Sequence, residues 1–131
     1  MAIRLRDGLL NNQQIGFYMD IEEVRDFALG LNEQVTEELF AEQWISWRIA
    51  GKWFLLMQLD APEPRVAVKL KPDVGAALRE QYEGVKPAYH MNKVHWSDLY
   101  LNRLDADFVK QQITASYQLV VRNLPKKLRI N

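Results

Sequence analysis

The chain has 131 residues, enough for one domain that buries roughly two-thirds of the surface its unfolded form exposes. It contains no cysteine, which excludes disulfide frameworks, thiolate zinc sites and cysteine nucleophiles and makes a reducing cytoplasm the expected location. Its 17 Lys/Arg and 17 Asp/Glu balance overall but not along the chain: residues 1–64 carry five basic against eleven acidic residues, and residues 65–131 carry twelve against six.

That asymmetry points to a polyanion-binding face opposite an acidic one, unless the fold interleaves the halves and cancels the field. The longest apolar run, residues 53–57, is too short to cross a bilayer, and the start lacks the apolar core of a secretory signal. No membrane partner is expected.

In chain order, residues 1–18 show no periodicity that outlasts a turn, and NNQQ between Gly8 and Gly16 reads as irregular chain. They are expected to form an extension outside a domain spanning residues 19–131, with Met19 as the initiator. An intact mass of natively expressed protein that includes residues 1–18 would refute that start. Asp20 and Glu23 then have the spacing of a capping box, and Ile21, Val24, Phe27, Ala28 and Leu31 recur at helical spacing. Residues 35–40 are a candidate strand. Residues 44–50 alternate, with Ile45, Trp47 and Ile49 on one face and Trp44, Ser46 and Arg48 on the other. A turn at Gly51-Lys52 returns the chain as a more uniformly apolar strand, so residues 44–59 read as a hairpin.

The loop at residues 61–64 carries Pro62 and Pro64, which cannot donate to a ladder. Residues 65–71 alternate again. With Val66, Val68 and Leu70 inward, Arg65, Lys69 and Lys71 should share the outer face as a basic stripe. Pro72 suits a first helical turn, followed by Val74, Ala77, Leu78 and Tyr82 at helical spacing until Gly84. After an extended stretch, Leu99 and Leu101 share one face of a segment whose other face holds Trp96, Asp98 and Tyr100. A long final helix is capped by Asp105 or Asp107, carries Phe108, Val109, Ile113, Tyr117 and Val120 at core spacing, and stops at Asn123 and Pro125. Residues 126–129 (KKLR) form a basic tail.

Polar chemistry concentrates in residues 84–101, GVKPAYHMNKVHWSDLYL, which hold both histidines. A metal site wants histidines four apart on a helix or alternating on a strand, with a third ligand. His90 and His95 are five apart, on opposite faces of any strand, with Asp98 the nearby carboxylate. An acid/base role needs a nucleophile within hydrogen-bond reach, for which Ser97 and Tyr89 are candidates without a nucleophile elbow or phosphate loop. Phosphate and base contact suits the composition better. Lys93 and the histidines pair with phosphate oxygens, Asn92 reads a base edge, and Trp96 or Tyr100 stacks if exposed. The competing reading makes Tyr89 and Trp96 core aromatics, with the histidines and Asn92 bonded within a turn.

HMNKVHW followed by SDLYL, preceded by LREQYEGVKPAYH and closed by SYQLVVRNLPKKLR, is similar to the MmcQ/YjbR-like family of small bacterial proteins, over about residues 19–129. The resemblance implies an α+β domain of the frataxin-like (CyaY-like) kind, an antiparallel sheet with helices packed against it, and a proposed double-wing DNA-binding arrangement. The motif positions it carries over are His90, Asn92, Lys93, His95 and Trp96, with Lys69, Pro125, Lys126 and Lys127. The departure is the tryptophan-rich hairpin of Trp44, Trp47 and Trp53, which leaves open whether a wing here is core or binding surface. Iron binding by analogy is discounted, because the first helix offers only Asp20, Glu22, Glu23 and Asp26 and fold alone does not transfer function.

The expected function is therefore non-enzymatic, weak binding of double-stranded DNA without cofactor or metal. The expected contacts are Arg65, Lys69 and Lys71 on the sheet, His90, Asn92, Lys93, His95 and Trp96 in the focal loop, and Lys126, Lys127 and Arg129 in the tail. The alternative is a protein- or small-ligand-binding module with exposed aromatics, which the placement of Trp96 and Tyr100 should help to distinguish.

Overall fold

The computed structural model describes residues 4–5 and 17–128. Two short strands, β1 (Arg4–Leu5) and β2 (Phe17–Tyr18), pair antiparallel, a ladder too brief to leave a period in the sequence. Helix α1 (Ile21–Gly30) follows from its cap. Asp20 Oδ1 accepts from Glu23 N and Glu23 Oε1 accepts from Asp20 N, each at 3.0 Å, so two otherwise unbonded amides are satisfied reciprocally.

The single α+β domain is built on a six-stranded antiparallel sheet. Its strands are β3 (Thr36–Phe40), β4 (Trp44–Ile49), β5 (Lys52–Gln58), β6 (Arg65–Lys69), β7 (Val85–Pro87) and β8 (Trp96–Tyr100), in the order β3-β4-β5-β6-β8-β7. Helix α2 (Pro72–Gln81) connects β6 to β7, and α3 (Ala106–Arg122), capped by Asp105, closes the fold. On one face Trp47, Leu55, Met57, Val66, Val68 and Leu99 meet Val24, Ala28, Val109, Ile113 and Val120 in the main core. The opposite face has a smaller cluster, Leu56, Ala67, Ala88 and Trp96, with Trp44, Trp53 and Met91 packed against it. The segment at residues 88–95, rather than a helix, supplies its roof.

The hairpin turns one residue earlier than Gly51-Lys52. Ala50 and Gly51 have φ of 49° and 77°, the consecutive left-handed pair that a tight two-residue hairpin requires. Trp47 pairs with Leu55 but Arg48 pairs with Trp53, so Phe54 is the extra residue of a bulge. Phe54 and Leu55 therefore both enter the helix-side core, while Trp53 stays on the other face below Arg48. The tryptophan-rich hairpin is thus largely core. β4 and β5 lie inside the sheet and Trp47 is fully buried.

Helix α2 turns a different face inward than its apolar spacing predicts. Val74 and Tyr82 are exposed, whereas Gly75 is buried and Leu78 packs on the core. The reason is polar: Arg79 Nη1 donates to Ser97 Oγ at 2.8 Å, and a Cβ on Gly75 would sit 3.2 Å from that guanidinium. The helix ends at Gln81 rather than at Gly84. Gly84 instead lies against α3's entry, where a Cβ would fall 2.7 Å from Leu104 Cγ.

Candidate nucleic-acid interface

Antiparallel pairing brings the β4–β5 turn, the end of β6, the start of β8 and the C-terminus of α3 to one end of the sheet. There they line an open recess of about 580 Å³. Arg48 and Lys52 enter from the hairpin, Lys69 from β6, Trp53 and Trp96 from the sheet face, and Val120, Asn123 and Leu124 from the end of α3. The pairs Arg48–Trp53 and Lys69–Trp96 are cross-strand neighbours, which places each cation beside an indole.

The cations here differ in how they are matched. Arg48 is pinned: Nη1 lies 3.0 Å from Glu38 Oε2, Nε donates to Ser46 Oγ at 3.1 Å, and the guanidinium sits 5.5 Å from the Trp53 ring centroid. Lys52, Lys69, Lys71, Lys126 and Lys127 have no carboxylate within 4.0 Å among the described residues. Lys71 precedes α2 at this end, and Lys126 and Lys127 follow Leu124 in a 3-10 turn, Lys126–Leu128. At the other end of the sheet the arginines are occupied. Arg103 meets both oxygens of Glu63 at 2.7 Å and Glu83 at 3.4 Å, and these carboxylates raise its pKa. Arg65 Nε lies 3.4 Å from Asp98 Oδ2, with its guanidinium over the Tyr100 ring.

Asp98 is a charged residue buried in β8, next to the buried Ser97. Burial pushes its carboxyl pKa up, against the opposing pull of the Tyr89 amide, Arg65 and His90. It also fastens the focal loop, because Oδ2 accepts from Tyr89 N at 3.3 Å. The rest of that loop holds itself. Asn92 Oδ1 accepts from Val94 N at 2.9 Å, the Asn92 carbonyl accepts from His95 N and Trp96 N, and the His95 carbonyl accepts from Leu70 N.

The sequence expectations change accordingly. Arg65 does not join Lys69 and Lys71 in a basic stripe, because the β6–β8 register sets it beside Asp98 at the opposite end. Trp96 is no open stacking platform: it is 8% exposed, forming the floor of the recess and the smaller core. Asn92 spends its side-chain oxygen on its own turn. His90 rests edge-on against Trp44 and Tyr89, and Lys93 Nζ donates to the Tyr89 carbonyl at 3.3 Å, so neither lines the recess. His95 is exposed next to the end of β6. Arg129 lies outside the described residues. Ser97 is buried and bonded to Arg79, out of reach as a nucleophile for either histidine.

Among the described residues there is no group of three His, Cys, Asp or Glu side chains that could hold a metal ion, and no helix long and apolar enough to cross a membrane. Arg48, Lys52 and Asn123 are site residues that the sequence did not single out. Arg48 was legible on the outer face, but its place in one recess with Lys69 depends on strand order and on the bulge.

The YjbR family model matches residues 29–119. The chain is 32% identical over 114 residues to the uncharacterized protein YjbR of Escherichia coli K12, covering 85% of this chain and 95% of that one. It is 30% identical over 89 residues to the uncharacterized protein YbdF of Escherichia coli O157:H7, covering 67% and 73%. The crystal structure of Deinococcus radiodurans DR2400 shares the fold with a TM-score of 0.78 at 21% identity, over 85% of this chain and 86% of that one. A Pseudomonas syringae crystal structure aligns with a TM-score of 0.67 at 26% identity, over 77% and 98%.

Proposed function

We propose that this chain, which belongs to the YjbR family, binds double-stranded DNA weakly through phosphate contacts at the lysine-rich end of its sheet. The observation that carries this reading is the contrast in pairing: five lysines without carboxylates at one end, against arginines locked to Asp98, Glu63 and Glu83 at the other. Unpaired lysines keep their charge available for displacing counterions from a phosphate backbone, which gives salt-sensitive binding on the order of 10⁻⁴ to 10⁻⁶ M when non-specific. Of the hairpin, only the tip near Gly51 and Lys52 is free to act as a wing. A base-reading helix is not part of the reading, because α3 presents its length to the core.

A second reading has one observation in its favour. Tyr89 and Val94, 71% and 57% exposed, put apolar surface on the focal loop, which suits a protein or small-ligand partner. Fluorescence anisotropy of a labelled random-sequence duplex, at low and at moderate salt, separates the two. DNA binding predicts a log–log salt slope near −0.9 per phosphate neutralised, reduced by about two units when Lys126 and Lys127 both become alanine. No binding at low salt would overturn it in favour of the partner module.

A further inference from the structure

We infer that the recess seats a single nucleotide phosphomonoester, free or at the end of a strand, with its phosphate on Lys52 and Lys69 and its base against the end of α3. This rests on the reading that the lysine-rich end faces phosphate, and it divides that end into two parts. Lys71, Lys126 and Lys127 outside the recess meet backbone phosphates, and the recess takes a terminal one.

Charge favours a monoester. Arg48, Lys52 and Lys69 contribute three positive charges to the recess, of which Glu38 offsets one. The two that remain match a phosphomonoester, about −1.5 to −2 at pH 7, better than the single charge of a backbone diester. Size agrees. About 580 Å³ falls within the roughly 300–1,000 Å³ of small-ligand pockets, and a concavity of that volume admits a nucleotide or a strand end but not an uninterrupted duplex.

Orientation follows from the helix end. The last turn of α3 offers the Leu119, Val120 and Val121 carbonyls to the amide of Asn123, the negative end of the helix dipole, which repels a phosphate. The phosphate therefore belongs on the lysine side. Val120 and Leu124 give the base an apolar wall. The Asn123 side-chain amide, which has no hydrogen-bond partner among the described residues, carries the donors and acceptor that a base edge needs.

The test uses three duplexes of one sequence: phosphate-terminated, hydroxyl-terminated, and closed at both ends by loops. A parallel titration with a nucleoside monophosphate is followed by tryptophan fluorescence. Wild type is expected to bind the phosphate-terminated duplex about tenfold more tightly than the other two, and Lys69→Gln and Lys52→Gln, each checked for folding by circular dichroism, to erase that preference. The Lys126→Ala/Lys127→Ala variant should weaken all three together and keep it. A fluorescence response to the monophosphate, lost in Lys69→Gln, with no binding of any duplex would support the seat and overturn the DNA reading. Equal binding of the three duplexes with no response to the monophosphate would overturn the seat and leave the DNA reading intact. No response in either titration would overturn both.

Discussion

Ser116 Oγ on α3 donates to the carbonyl of Phe54 at 2.6 Å and accepts from the amide of Lys69 at 2.8 Å. The hydroxyl thus fills the gap that the β5 bulge opens between β5 and β6. It satisfies two backbone groups that the ladder leaves unpaired, and it fixes Lys69 at the edge of the recess. Ser116→Ala strands both groups in a buried setting, and an orphaned buried polar group costs about 1–3 kcal/mol. Urea unfolding should show a lower midpoint by that amount of stability. A variant as stable as the wild type would mean that the bulge finds other partners.

Gly84 is fixed by close approach. A Cβ there meets Leu104, itself 4% exposed, at 2.7 and 2.9 Å and Arg103 Cβ at 3.1 Å. Leu104 has little room to retreat, so Gly84→Ala overpacks the junction of β7 with α3, at a cost of about 1–3 kcal/mol. Thermal unfolding should register the loss. Unchanged stability would show that Leu104 repacks freely.

The capping box of α1 predicts a smaller effect. Asp20→Ala removes the bond that Asp20 Oδ1 accepts from Glu23 N and leaves the Asp20 backbone amide on Glu23 Oε1, and losing an N-cap costs about 0.5–2 kcal/mol. Asp20→Asn, which retains an acceptor, should recover most of it in the same denaturation measurement. Equal losses in the two variants would place the effect in charge rather than in capping.

Asp98 gives the stability its pH dependence. Because burial raises its pKa in the folded state, the native protein holds that proton more tightly than the unfolded chain does. The stability from the protonated form is present below the ordinary carboxylate range and is lost as pH rises through the raised value. Relative to Asp98→Asn, which does not titrate, the wild type should therefore lose stability across that window and then run parallel at higher pH. Paired urea curves across acidic and neutral pH provide the check. A wild-type margin that grows with pH would contradict the direction of the shift.

Local chemistry made much of this fold legible. The Asp20–Glu23 spacing, the alternation of residues 44–50 and a cap at Asp105 or Asp107 are short-range signals, and each governs an element the structure contains, with Asp105 taking the cap. What alternation left undetermined was who meets whom. Arg65 was placed correctly on the outer face, but its partner Asp98 lies 33 residues away and is set by the β6–β8 register. The inward face of α2 follows an Arg79–Ser97 hydrogen bond rather than an apolar stripe. The recess was hidden for the same reason: it collects side chains from the hairpin, β6, β8 and α3, and only strand order brings them together. Of its two lysines Lys69 was named and Lys52 overlooked, and Lys71, Lys126 and Lys127, outside the recess, were named as well.

The most direct test of the lysine-rich end is a charge reversal placed by geometry. Lys52→Glu/Lys69→Glu changes the recess, while Lys86→Glu makes a single reversal on the edge strand β7, away from it. Affinity for a random-sequence duplex would be measured by anisotropy at low salt for both variants and the wild type. The account predicts that the double reversal, which sets negative charge beside the lysines that meet the backbone, sharply weakens binding and lowers its salt slope, while Lys86→Glu lowers affinity only slightly. A loss of binding free energy in the double reversal only about twice that in Lys86→Glu, in proportion to the charge reversed, would show that net charge, not the lysine-rich end of the sheet, attracts the DNA, and would contradict the account.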